Sequence, residues 1–265
     1  MLPCVFRGQP DMPILRSGAQ LIYYAHVPKC AGTAVEDYLT ARFGTLAFHN
    51  KRYLSQPQQQ RWCRSSPQHI DLNSLNRLFP QGFFDLSFAV VRHPVDRIVS
   101  AWHFQLEVER TVPKGLTFGE WLHDLEDIHA DQPFAFDNHT RPMNDIVPQG
   151  AKIFHLEHGL EQIVPWLDEV TNETAGPRAI GETNRRGGKA APGSGKISPS
   201  PTEIAQIARL YSVDFERFGY QPDKKEPQGK TNTTNNSSKP ERQKQGWLAG
   251  LFGRATLGPK RSAGR

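Results

Sequence analysis

The amino-acid sequence predicts an α/β protein built on a mainly parallel sheet with helices on both faces. Two short runs rich in strand formers, Leu21-Ile22-Tyr23-Tyr24-Ala25 and Leu86-Ser87-Phe88-Ala89-Val90-Val91, each break at a proline-containing turn and give way to apolar residues at helical spacing. The order strand, turn, helix occurs again from residue 152. With 265 residues, 37% of them hydrophobic, the chain is long enough to bury one good-sized core.

The elements follow in order. After the first run, the stretch from Pro28 to Gly32 ends the strand, and Val35, Tyr38, Leu39 and Arg42 recur at helical spacing from a first turn at Gly32-Thr33. After the second run, Arg92-His93-Pro94 breaks the strand with Pro94 at the first helical position, where a missing N–H costs nothing. Val95, Ile98, Val99, Trp102 and Leu106 then step by three and four. A third strand over 152–156 precedes a helix carrying Leu160, Ile163, Val164 and Leu167. Residues 173–201 turn to Gly, Pro, Ser and basic residues, the composition of a mobile loop. A last helix over 202–217 places Ile204, Ile207, Ala208 and Tyr211 on one face, and Phe215, Phe218 and Tyr220 close the folded part. Residues 1–20 therefore read as an N-terminal extension, 21–222 as a single domain, and 223–265 as a basic, disordered tail with too little apolar surface to order itself.

Charge has to be located before it is given a meaning. The formal net charge is +5, but residues 223–265 hold ten basic and three acidic residues, +7, so residues 1–222 carry −2. A nucleic-acid-binding surface spread over the domain is thereby excluded. Cys4, Cys30 and Cys63 are scattered without metal spacing, which fits a reducing, cytoplasmic setting. Pro3, Arg7, Pro10, Asp11 and Pro13 interrupt the opening residues, so neither a signal peptide nor a membrane span is expected there. The short apolar group Trp247, Leu248, Leu251 and Phe252 allows at most weak contact of the tail with a membrane surface.

In parallel sheets ligands gather beyond the carboxyl ends of strands, where the following helices present free N–H groups to anions. Both strand-end turns lie there. The first, His26-Val27-Pro28-Lys29-Cys30-Ala31-Gly32-Thr33, combines a lysine, a glycine that admits close backbone approach, and a hydroxyl at the helix start, which suits a phosphate. It is not the GxxxxGK(S/T) loop, because Lys29 precedes the glycine. The second strand ends in Val91-Arg92, where many P-loop enzymes place a magnesium-binding aspartate. A thiol beside a lysine at a helix N-terminus favours its thiolate, so Cys30 is also a candidate nucleophile.

These residues resemble the sulfotransferases, particularly those related to carbohydrate sulfotransferases. The first turn is similar to their 5′-phosphosulfate loop, and Arg92-His93-Pro94-Val95-Asp96-Arg97-Ile98-Val99-Ser100 to their 3′-phosphate motif. Asn138-His139-Thr140-Arg141-Pro142, Ile153-Phe154-His155-Leu156-Glu157 and the stretch from Tyr211 to Tyr220 resemble later segments in the same order. The resemblance implies a P-loop NTPase-like parallel sheet flanked by helices. It also implies transfer of a sulfuryl group from 3′-phosphoadenosine 5′-phosphosulfate to an acceptor hydroxyl on a saccharide or glycolipid.

On that resemblance Lys29 neutralises charge on the leaving oxygen, the backbone N–H groups of Cys30, Ala31, Gly32 and Thr33 hold the 5′-phosphate, and Arg92 and Ser100 take the 3′-phosphate. Asn184 and Arg185, in the basic loop, are placed on the nucleotide. His139 is the expected general base, with His26, His93, His103 and Glu36 as alternatives. No metal is implied: no ligand cluster is visible, and the lysine supplies the positive charge. Two other functions fit the same turns, a nucleotide-dependent kinase and a non-catalytic nucleotide binder.

Overall fold

The structure is a computed structural model describing residues 11–48, 52–113, 115–181, 197–224 and 227. Five strands form one sheet in the order β3-β1-β2-β4-β5. Its functional half is parallel. Strand β2 (Gln20–Ala25) pairs in parallel with β4 (Leu86–Val91), which pairs in parallel with β5 (Lys152–His155). The two apolar runs thus lie side by side, Tyr24 opposite Phe88 and Ala25 opposite Ala89, and their carboxyl ends open on one edge.

The other half of the sheet begins earlier than the first run. Strand β1 (Asp11–Ser17) pairs antiparallel with β2, and the two-residue β3 (Ala47–Phe48) pairs antiparallel with β1. Residues 11–17 are therefore part of the fold rather than an appendage. Pro13 is tolerated because the β1–β3 register shifts between Asp11 and Ile14, an irregularity where no ladder N–H is required.

Helices cover the sheet much as the periodicity predicts. They are α1 (Gly32–Phe43), α2 (Leu72–Leu78), α3 (Pro94–Phe104), α4 (Phe118–Asp131) and α5 (Ile163–Thr171). The expected single last helix is two, α6 (Pro201–Leu210) and α7 (Ser212–Phe218), broken at Tyr211. Asp71 caps α2, and Thr117 and Ser200 form capping boxes with Glu120 and Glu203 at the starts of α4 and α6. None of the described helices is long and apolar enough to cross a membrane. Asn184, Arg185 and most of the basic loop and tail lie outside the described residues.

The later segments singled out in the sequence are tied together in the interior. Arg97, fully buried, donates to the carbonyls of His139 at 3.1 Å and Arg141 at 2.8 Å, and its ring-facing side lies over Tyr211. Tyr211 donates its hydroxyl to the carbonyl of Thr140 at 2.6 Å, and the Asp214 carboxylate accepts from the amides of Met143 and Asn144, both at 2.8 Å. The loop over 138–144 is thus tied to α3 and α7 from inside. Glu157 does the same for the second strand-end turn, accepting from the His93 amide at 2.6 Å and the Tyr220 hydroxyl at 2.9 Å.

Asp214 stands 4.0 Å from the Arg97 guanidinium with both side chains fully buried. Removing one partner leaves a buried cation and two unaccepted amides. Asp214→Ala is expected to lower stability by about 3–5 kcal/mol in a chemical denaturation experiment, and a loss under about 1 kcal/mol would show that the pair does not anchor the loop.

Candidate active site

The site starts at the end of β2. Lys29 (φ 67°) and Ala31 (φ 63°) are both left-handed while Cys30 between them is not, an alternation that turns successive backbone N–H groups toward one side. Ala31 precedes α1 without any side-chain cap, so the first-turn amides keep their donors. The Thr33 hydroxyl makes no hydrogen bond to a described residue and is partly exposed. Gly32 is required for a reason the sequence did not show. A Cβ there would lie 1.7 Å from His26 Nε2, so the imidazole itself is what approaches the backbone. Glu36 holds that ring through Nδ1 at 2.7 Å.

Arg92, at the end of β4, reaches the first turn. Its Nη1 donates to the carbonyl of Lys29 at 3.3 Å, its one hydrogen bond among the described residues, and no carboxylate there pairs with it. Two cations from two strand ends thus lie side by side. Burial first, and then Arg92, push the Lys29 ammonium down to about 8. Lys29 Nζ sits 3.8 Å from the centroid of the Phe104 ring. Ser100 lies two turns into α3, partly buried and without a hydrogen bond to a described residue. Cys30 does not carry the reactivity its position allowed: its side chain is fully buried, and burial pushes the thiol up to about 12, so it stays protonated.

Beyond Phe104 the structure assembles a group that sequence spacing did not reveal. The Phe104 ring lies 4.8 Å from His139, His139 lies 4.8 Å from His69, and His69 lies 4.9 Å from His26. His69 Nδ1 is 2.8 Å from Asp137 Oδ2, and Asp137 also accepts from the Ser66 amide at 2.6 Å and the Ser66 hydroxyl at 2.5 Å. Burial works to raise the Asp137 carboxyl, but His69 and Ser66 outweigh it and hold it down to about 2. A permanent carboxylate on Nδ1 fixes the His69 tautomer with its proton there, leaving Nε2 as a lone pair. His69 Nε2 makes no hydrogen bond to a described residue.

His139 is differently placed. Gln105 Nε2 lies 3.0 Å from His139 Nδ1, and Gln105 Oε1 accepts from the Thr111 hydroxyl at 2.7 Å, which orients the amide with its N–H toward the ring. His139 Nδ1 is then an acceptor, and the ring proton sits on Nε2. Burial, reinforced by His69, keeps its pKa well below the usual histidine range. In that tautomer His139, the expected general base, has its Nδ1 lone pair engaged by Gln105 and its proton on Nε2. Among the alternatives, His93 donates through Nε2 toward the Gln221 carbonyl at 2.9 Å, Glu36 is engaged by His26, and His103 faces Glu107 at 3.5 Å.

Contrary to the expectation of no ligand cluster, His69, Asp137 and His139 bring potential ligand atoms within 4.8 Å of one another. The hydrogen bonds they make join His69 to Asp137 and His139 to Gln105. The backbone shows how firmly the arrangement is held. Phe136 (φ 54°), Asp137 (φ 53°) and Asn138 (φ 61°) are all left-handed, a run that costs about 1–2 kcal/mol per residue and persists because Ser66, His69 and Arg97 fasten it. The helix that supplies Phe104 and Gln105 is also irregular there, passing into a π-turn over Gln105–Glu109.

His69 and Ser66 escaped the sequence analysis because they lie in an irregular stretch between α1 and α2. The available signal was Ser66-Pro67 opening a tight turn, Pro67–His69, in a polar segment.

A search of curated proteins and a search of solved structures each found no match. A scan against protein families matches residues 12–221 to the Sulfotransferase family, a span from the first strand to just past the last helix. It covers both cationic turns and the His69–Asp137 dyad, and on it the chain belongs to the sulfotransferase family, whose chemistry is sulfuryl transfer.

Proposed function

We propose that the protein transfers a sulfuryl group from 3′-phosphoadenosine 5′-phosphosulfate to a hydroxyl of a carbohydrate or glycoconjugate, with His69 as the general base. The observation that carries this is the Arg92 guanidinium resting on the carbonyl of Lys29, which places two cations, neither in an ion pair with a described carboxylate, at adjacent strand ends. A donor with phosphate at both ends of its ribose satisfies both, Arg92 through its planar fork and Lys29 at the sulfate-bearing end. A cytoplasmic location belongs to the same proposal and accords with Cys30 and Cys63 being free thiols.

Transfer is an in-line displacement at sulfur. The acceptor oxygen forms the new S–O bond as its proton passes to His69 Nε2, and the resulting imidazolium is stabilised by Asp137. The S–O bond to the 5′-phosphate breaks, and the Lys29 ammonium together with the uncapped amides of α1 takes up the charge on the departing oxygen. His139 contributes its Nε2–H to the same space, held there by Gln105.

Binding is tested with the product nucleotide. Calorimetry is expected to show 3′-phosphoadenosine 5′-phosphate binding at least about ten times more tightly than AMP, from a charge-assisted contact of about 1.5–3 kcal/mol. Arg92→Ala should remove most of that preference, whereas Lys29→Ala should leave more of it and cut turnover by about 100-fold or more. Equal affinity for the two nucleotides would defeat the proposal.

The base assignment has its own test. Asp137→Asn and His69→Ala are each expected to lower kcat by about 100-fold or more with nucleotide affinity retained. Gln105→Leu should cost less, since it frees His139 without touching the dyad. If His139→Ala abolished turnover and His69→Ala did not, the roles would have to be exchanged.

The Lys29 ammonium is charged below its lowered pKa of about 8 and loses its proton above it. In the free protein kcat/KM for the donor should therefore fall as pH rises through about 8, and Arg92→Ala, by removing a neighbouring cation, should move that limb upward. A limb that stays in place in the variant would detach it from Lys29.

A further inference from the structure

Among the described residues, His69, Asp137 and His139 are the group of metal-ligating side chains that converges, each bringing a ligand atom within 4.8 Å of the other two. The group is well enclosed, with His69 8% and His139 6% exposed. Asp137 is held in place by the Ser66 amide at 2.6 Å, and its Oδ2 lies 2.8 Å from His69 Nδ1. The Nε2 atoms of His69 and His139 make no hydrogen bond to a described residue. His26, though its ring packs on His69, stays outside the group: its Nδ1 meets Glu36 at 2.7 Å and its Nε2 lies against Gly32.

Two imidazoles and one carboxylate select a class of ion. Imidazole suits zinc and its neighbours late in the first transition row, whereas magnesium and calcium demand shells of oxygen. Three protein ligands with a fourth position open are what a zinc ion needs to keep a water or an exogenous ligand. With bonds of about 2.0–2.1 Å, the ligand atoms of a tetrahedral zinc stand roughly 3.3 Å apart. The widest spacing here, at most 4.8 Å, therefore has to close by about 1.5 Å. The surroundings can follow. A metal-bound imidazole carries its proton on the other nitrogen and donates it to an acceptor. For His139 that acceptor is Gln105: turning its amide over presents Oε1 to Nδ1–H, while Nε2 donates to the Thr111 hydroxyl.

A metal ion and a proton acceptor exclude each other at this place, because a neutral imidazole has a single lone pair. Zinc on His69 Nε2 takes the lone pair that would receive the acceptor's proton. Zinc on Nδ1 moves the ring proton to Nε2 and blocks it as well. We propose that His69, Asp137 and His139 form a zinc site and that zinc bound there inhibits the enzyme. The inhibition rests on the sulfuryl-transfer role proposed for His69; the site itself rests on the geometry of the three side chains.

The test uses the full chain, metal-free, titrated with zinc chloride by calorimetry. One zinc should bind per chain, and magnesium in excess should not compete. His69→Ala and His139→Ala are each expected to weaken zinc by about 100-fold or more, beyond the reach of an outer-shell change. Gln105→Glu, which offers His139 Nδ1–H a carboxylate, should instead tighten zinc by about tenfold, a gain that a glutamine of purely structural value would not produce. Cobalt in place of zinc should show visible d–d absorption without thiolate-to-metal charge transfer, which sets Cys4, Cys30 and Cys63 aside. If the histidine variants fail to fold, Gln105→Glu and the cobalt spectrum decide. Release of 3′-phosphoadenosine 5′-phosphate from the donor, in the presence of a mixed oligosaccharide pool, should fall in step with zinc occupancy and return with chelator. Thiolate charge transfer, undiminished affinity in the histidine variants, no gain in Gln105→Glu, displacement by magnesium, or full turnover at saturating zinc would each overturn the proposal. Metal-free protein that binds zinc at these residues yet releases no nucleotide would strike the transfer function, and the inhibition with it, while the binding data upheld the site.

Discussion

Two positive side chains held side by side, neither in an ion pair with a described carboxylate, are the constraint on which the site depends. Parallel pairing of β2 with β4 brings the two strand ends together, and the Arg92–Lys29 carbonyl contact closes the gap. Proteins rarely keep like charges in a partly buried place unless something else relieves them. Here the protein offers only partial relief, the Phe104 ring and the more distant Glu109 carboxylate for Lys29 and the Lys29 carbonyl for Arg92. An anion with charge at two points, spaced to meet both, removes the repulsion and restores the ammonium.

Around that pair the fold keeps its titratable groups in opposite states. Asp137 is held ionised by His69 and Ser66, whereas Cys30 and His139 are held neutral mainly by burial. The contrast has a simple source. Asp137 accepts several hydrogen bonds in its ionised form, and His139 receives a donor that favours its neutral tautomer. One imidazole therefore has its Nδ1 held by a carboxylate, while a second, less than 5 Å away, has its Nδ1 held as an acceptor.

What the sequence made legible follows from range. Apolar runs and helical periodicity are local, so β2, β4, β5 and the starts of α1 and α3 could be read, and the turns after β2 and β4 with them. Strand β1 was hidden by Pro13, which only a register shift against β3 makes acceptable. The His69–Asp137 pair joins residues 68 positions apart through two irregular loops, and no periodicity links them. His139 was read from its polar segment, but the Gln105 amide that sets its tautomer comes from a π-turn no local pattern announces. The segment from Tyr211 to Tyr220 was recognised by resemblance alone. Its purpose became physical only when Tyr211 and Asp214 were seen holding the loop that bears His139.

That loop also explains why Asp137 and its neighbours can be strained and still ordered. Three consecutive left-handed residues store unfavourable backbone energy at 136–138, and a loop held only by surface contacts would relax out of it. It is held instead by Arg97 and Asp214, which lie in the core and whose charges would be left unpaired by relaxation. The cost of freeing the loop is therefore set by the interior of the protein, not by the site. Asp137 stays pointed at His69 in the free protein, the arrangement that would keep reorganisation small in the proposed proton transfer to His69.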